Sequence, residues 1–371
     1  MINVTNELKT ESGLNSNYDV TANAVLRDGT TLNLEKEDFY LDGNGIVDSS
    51  DSGDFPIGVA IEKTATLALV NDDDRFSDYN FVGAQRTLFL TSQLSARLVT
   101  IRRGTFIVSK KPATSDEINL TLLDYMSKAE TGYNTNLVFP CSVREVLEDA
   151  CQQTGIVLGD AVFKNADYQV QKKPENTTFR AVIGMVAALA GGNARIDEND
   201  NLRIITFDDG VDTITLETIP WHDINGNTIL DIDSNEIETI LERKGFKPNF
   251  INNLTYDVDD VVVTGVKYVN NETEYKYGTD GYVITIDNKL LTGNEQVGVD
   301  LIGKELVGMR LRPFSCDSIA IGYATFGDRV TFADIKGNIY YSYLTDVDFA
   351  FSGSTSFACN AKSMEDIDAD Y

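Results

Sequence analysis

Histidine is all but missing from this chain. His222 stands alone among 371 residues, so no metal site built from several imidazoles can form. One base is left for a Ser-His-Asp or Cys-His arrangement, and it lies in PWHDINGN, which reads as a turn. Cysteine is scarce too. Cys141, Cys151, Cys316 and Cys359 show no close metal-ligand spacing and read as buried free thiols of a chain made in a reducing cytoplasm. Trp221 is the only tryptophan, which argues against an aromatic platform for sugars. No apolar run approaches the ~20 residues that span a bilayer, so no membrane is expected. The N-terminal MINVTNELKTES has neither the basic nor the apolar part of a signal peptide. Phosphate-binding signatures, GxxxxGK[ST] or GxGxxG behind a strand, do not occur. LDGNGIVD carries glycines but reads as a polar loop with no helix behind it to hold an anion.

Positive charge is the other deficit. Against 58 Asp and Glu stand 31 Lys and Arg, a formal net charge of -27. Binding a phosphate backbone depends on basic side chains that displace its counterions, and here they are scattered, so nucleic-acid recognition is not expected. A solvated acidic surface is the plain use of such a charge.

Acids alone do not make a site. DIDSNEIETILE places Asp231, Asp233, Asn235 and Glu242 at positions 1, 3, 5 and 12 of a calcium loop, but Glu236 occupies the position that needs glycine. A helix over Ser234 to Lys244, with Asp233 and Glu236 serving its N-terminus, fits better. In NDDDR, residues 71 to 75, the carboxylates are adjacent and diverge, as in a turn. No pair of acids is singled out for glycoside hydrolysis. Catalytic residues, metal and cofactor are all expected to be absent.

What is present is mostly strand. In YDVTANAVL, Val20, Ala22, Ala24 and Leu26 alternate with polar or small neighbours, and TATLALVN repeats this with Ala65, Leu67 and Leu69. Thr105 to Ser109 and Ile118 to Leu123 read as a hairpin. After Tyr133 the pattern changes. Ser142 and Glu145 form a capping box, Val143, Val146, Leu147, Ala150 and Cys151 follow at helical spacing, and Gly155 stops the helix. A second amphipathic helix fits Phe179, Val182, Ile183, Val186 and Leu189, ended by Gly191-Gly192, with a hairpin in NARIDENDNLRIITF. From Leu254 onward the chain returns to strands in VVVTGVKYV, GYVITID, DRVTFAD and NIYYSYL, with Val347, Phe349 and Phe351 alternating near the end. The fold class is β-rich α+β.

The order of segments resembles one family. LVNDDDRFSDYNFVGAQ is followed by GTFIVSK, LTLLDYMSKAETGY and VFPCSVREVLEDACQQTGI. TFRAVIGMVAALAGGNARIDENDNLRI and FGDRVTFADIKGNIYYSYL come after them. Together, over roughly residues 18 to 360, they are similar to bacteriophage tail baseplate hub proteins of the gp27-like and Mu-like kinds. The resemblance implies two β-barrel tube-like domains and a small helical insert. Residues 1–133 would be the first barrel and 134–207 the inserted helix-helix-hairpin domain. Residues 208–250 would return to the first barrel through a linker helix, and 251–371 would form the second barrel.

It also implies a non-enzymatic homotrimeric ring in the virion, assembled in the bacterial host cytoplasm. The ring would join a tail tube protein to a central spike or fibre protein and let DNA through without specific binding. The chain ends soon after its last strand, which fits the short form without a C-terminal cell-wall-degrading domain. Phe76, Tyr79 and Phe81 would pack a barrel edge or a subunit contact, and Gly83 and Ala84 would let a neighbouring backbone approach. Two other classes, a secreted carbohydrate-binding β protein and a cell-wall hydrolase, stay open on composition alone.

Overall fold

The computed structural model describes residues 1–11, 18–50, 54–94, 97–110, 112–113, 115–207, 213–218, 249–319, 321–334 and 338–362. His222, Trp221, the calcium-like residues 231–242 and the helix expected at 234–244 lie outside them. After α1 (Asn6–Glu11) come β1 (Tyr18–Val25), β2 (Thr31–Leu34), β3 (Phe39–Ser49), β4 (Ala60–Ile61), β5 (Thr64–Val70), β6 (Gln85–Gln93), β7 (Leu98–Val108) and β8 (Glu117–Leu123). The middle of the chain holds β9 (Cys141–Ser142), α2 (Val143–Thr154), β10 (Val157–Leu158), β11 (Gln169–Val170), α3 (Phe179–Leu189), β12 (Gly192–Ile196) and β13 (Asn201–Thr206). Then follow β14 (Thr213–Thr218), β15 (Asn249–Tyr256), β16 (Val261–Asn270), β17 (Thr273–Gly278), β18 (Tyr282–Ile286) and α4 (Glu295–Leu306). The chain closes with β19 (Arg310–Leu311), β20 (Phe314–Ile319), β21 (Arg329–Ala333), β22 (Ile339–Tyr343), β23 (Asp346–Ala350) and β24 (Ser354–Cys359).

Period-two segments became strands with the predicted faces. In β1, Tyr18, Val20, Ala22 and Ala24 are buried while Asp19, Asn23 and Val25 face out. In β5, Ala65, Leu67 and Leu69 are buried, and Ala68 with them. The hairpin of β7 and β8 is short, with Ile107 opposite Leu123 and Val108 opposite Leu122. The long partner of β7 is β6, and that of β8 is β5. LDGNGIVD is not a loop. It lies within β3, where the left-handed Gly43 and a register break between Tyr40 and Gly45 form a bulge. Gly45 is needed there, because a Cβ would sit 2.3 Å from the Phe349 carbonyl oxygen.

That approach of β3 to β23 joins the two ends of the chain. Asp346 to Ala350 pair antiparallel with Ser49 to Gly45, which makes a fourteen-stranded sheet of order β2-β1-β6-β7-β8-β5-β3-β23-β24-β20-β15-β14-β21-β22. Among the described residues this path has two ends, at β2 and β22, and no closed barrel forms. β14, in the stretch read as returning to the first barrel, runs parallel between β15 and β21.

The middle segment folds as its caps predict. Ser142 Oγ accepts from Glu145 N, Ser142 N donates to Glu145 Oε2 at 2.7 Å, and Gly155 ends α2 at φ +67°. β12 and β13 form the expected hairpin, with Asp197 Oδ1 accepting from Asn199 N and Asn201 N in its turn. α3 differs from the amphipathic expectation. Every residue from Val182 to Leu189 is buried, because β4 and β12, α2 and α4 all pack around it. β12 extends through β4, with Ala194 opposite Ala60, so residues before the insert complete its sheet.

α4 was not legible as a helix. Val299, Ile302 and Leu306 have helical spacing, but Gly298 and Gly303 dilute the signal. Both glycines are packing sites, since a Cβ on Gly303 would lie 2.2 Å from Tyr277 and one on Gly298 2.3 Å from Leu291.

Candidate functional site

The stretch 71–84 builds a knuckle between β5 and β6, and Asn71 organises it. This side chain is 1% exposed. Its Oδ1 accepts from Phe76 N at 2.8 Å, and its Nδ2 donates to Ser115 O at 2.8 Å and to Ser77 Oγ at 3.1 Å. Asp74 N donates to Asn71 O, with Asp74 itself left-handed at φ 60°. An amide supplies donor and acceptor together, which is what this turn consumes. Asp72 and Asp74 are exposed, as a solvated turn requires. Arg75 reaches Asp38 at 2.7 Å and lies over the Phe76 ring at 4.7 Å.

The aromatic residues named from the sequence come together. Phe76 and Phe81 are buried and meet edge to face at 6.4 Å, while Tyr79 stays 37% exposed with its ring 6.2 Å from Phe81. Ala84 is fully buried and its carbonyl accepts from Val108 N. Gly83 has φ +70°, its N donates to Val108 O at 3.0 Å, so the backbone of β7 approaches here, and the Arg27 side chain lies against it as well. A Cβ there would sit 2.3 Å from Arg27 Nε. Arg27, Phe76, Tyr79, Phe81, Pro112 and Ile118 border a concavity of about 510 Å³, with Ser77, Asp78, Asn80 and Val82 on its rim.

Two residues of this region were missed in the sequence. Arg27 is exposed, and among the described residues nothing hydrogen-bonds or ion-pairs with it. Arg86 is fully buried, its guanidinium carbon stands 4.7 Å from the Phe81 ring centre, and none of its three nitrogens has a hydrogen-bond partner among the described residues. Burial alone lowers its pKa to about 10. The signal was present: Arg86, Leu88 and Leu90 alternate on one face of β6, so an arginine was placed at a core position.

Among the described residues no group of three or more His, Cys, Asp or Glu could hold a metal, and no helix is long and apolar enough to cross a membrane. All four cysteines are free and buried, and burial pushes the Cys141 thiol up to about 11 and the others to about 12.

No family model and no curated protein matches the sequence. Solved structures do. The tail protein from Neisseria meningitidis MC58 is 12% identical, with a TM-score of 0.51 over 92% of this chain and 96% of that one. The 43 kDa tail protein of prophage MuSo2 from Shewanella oneidensis is 10% identical, with a TM-score of 0.50 over 92% of this chain and 97% of that one. At such identities the likeness is one of fold, and the chain has the β-rich fold of these two tail proteins along nearly its whole length.

Proposed function

We propose that the protein is a structural hub of a phage or phage-like tail. It forms a trimeric ring that joins a six-fold tail tube to a three-fold spike or fibre and lets DNA pass. The observation that carries this reading is the fold shared with two tail proteins over more than nine-tenths of all three chains. In this reading β1–β3 and β5–β8 make one tube-like domain, β14, β15 and β20–β24 make the second, and residues 134–207 are the insert. The ring works as a passive part of the virion, assembled in the host cytoplasm.

The composition of the large sheet supports the conduit. Its fourteen strands contain no lysine, and their arginines are Arg86, Arg102, Arg103 and Arg329. Arg86 and Arg103 are buried, and Arg102 pairs with Asp200 at 2.6 Å. One face carries Val47, Asp348, Ser356, Asp317 and Asn252 as direct neighbours across β3, β23, β24, β20 and β15. Turned to the three-fold axis, that face repels phosphates and offers no counterion release.

Size-exclusion chromatography with light scattering, at tens of micromolar chain, tests the ring. A trimer is expected alone or with the cognate tube and spike proteins, and a strict monomer in every mixture overturns the reading. Peptidoglycan clearing by the purified protein would overturn its non-enzymatic part.

A further inference from the structure

The knuckle concavity has apolar walls in Phe76, Tyr79, Phe81 and Pro112 and, among the described residues, one accessible cation, Arg27, with no hydrogen bond or ion pair. The Arg27 guanidinium lies against Gly83, where a Cβ would come within 2.3 Å of its Nε. Behind Phe81, Arg86 adds a second positive charge, with no hydrogen-bond partner among the described residues. Among the described residues, the exposed Asp78 is the one acid lining the concavity. Such a site suits a carboxylate beside a small apolar side chain.

The same chain presents that pair elsewhere. In the turn between β15 and β16, Val258 is 83% exposed. Asp259 beside it is exposed, and among the described residues it has no hydrogen bond or ion pair. The turn is braced from below by Arg312, whose Nη1 donates to Asp257 O at 2.8 Å and to Val258 O at 2.6 Å, and whose Nε donates to Asp260 Oδ1 at 2.8 Å. Its tip is therefore preorganised, which lowers the entropy lost on docking. The two other most exposed valines offer no such pair. Val138 sits between Leu137 and Phe139, and Asp160 near Val162 already accepts from Val162 N.

We propose that the Val258–Asp259 tip of one copy enters the knuckle concavity of the next. Val258 packs on the exposed ring of Tyr79, and Asp259 meets the Arg27 guanidinium. Plug and socket are different surfaces of the chain, so the contact is head-to-tail and closes when three copies are related by a three-fold rotation. This rests on the ring proposed above and supplies its contact.

Two experiments on the full chain decide it. The four native thiols are buried, so a Tyr79→Cys, Val258→Cys double variant, oxidised under assembling conditions, has a low background. A ladder of covalent dimers and trimers is expected, and its absence in a protein that still assembles overturns the contact. In a charge swap, Arg27→Asp and Asp259→Arg each weaken assembly by about tenfold or more, and the two together restore it. Single variants that assemble like wild type, or a double variant that does not recover, overturn the contact and leave the ring standing. A wild type that never assembles, alone or with tube and spike proteins, overturns the ring itself.

Discussion

Arg86 and Phe81 are stacked face to cation in the closed core beneath the knuckle, 4.7 Å from guanidinium carbon to ring centre. Among the described residues no acceptor reaches the arginine, although it is completely buried. The ring quadrupole offsets only part of the desolvation cost of a guanidinium. Arg86→Met keeps the volume and the contact with Phe81 while removing the charge. The variant is expected to be more stable by about 1–4 kcal/mol, read as a higher urea midpoint with unchanged slope. A lower midpoint would mean that the guanidinium finds acceptors in solution.

Asn71 is the fastener of the knuckle, with three side-chain hydrogen bonds at a position 1% exposed. Asn71→Ala strands the Phe76 amide and the Ser115 carbonyl together, and should cost about 2–3 kcal/mol in denaturant unfolding. Asn71→Asp keeps the acceptor but loses both donors and buries a charge, so it should be no better than alanine.

Asp124 carries a pH dependence. Its side chain is 1% exposed, Oδ1 accepts from Met126 N at 3.0 Å and Oδ2 has no hydrogen-bond partner among the described residues. Burial pushes its pKa up to about 7, opposed by the charge of Lys63. A carboxyl with a folded pKa above its unfolded value contributes stability that is complete below about pH 4 and is lost as pH rises through about 7. Asp124→Asn should therefore gain on wild type between pH 5 and 8, on the order of 2 kcal/mol, in urea midpoints measured across that range. A difference independent of pH would mean that the folded chain holds Asp124 charged.

The thiols give a fourth test. All four cysteines are buried, with pKa values raised to about 11 or 12 by desolvation. Thiolate, the reactive form, is therefore both rare and shielded. A disulfide reagent such as DTNB should label none of them in native protein at pH 8 and all of them in urea. Rapid labelling of the native chain would place a thiol at the surface.

Local chemistry made part of this molecule legible in its sequence. The two-residue period of β1 and β5, the Ser142–Glu145 box with Gly155 at the far end of α2, and the turn at 71–75 are each decided by neighbours within a few positions. Hydrogen bonding to the next turn, or exposure of alternate faces, operates at that range.

Pairing partners were decided only by the tertiary structure. An alternating strand announces its buried face but not which strand lies beside it, because any edge supplies the same backbone donors and acceptors. Hence Gly45 read as a loop until Phe349 of β23 was found against it, and β8 read as the hairpin mate of β7 although β5 holds most of its length. The glycines of α4 weakened its helical pattern, and contact with Tyr277 and Leu291 made them necessary. For Arg86 the sequence set the side of the strand it occupies. That no acceptor meets it there depends on every chain segment packed around it, which no local pattern contains.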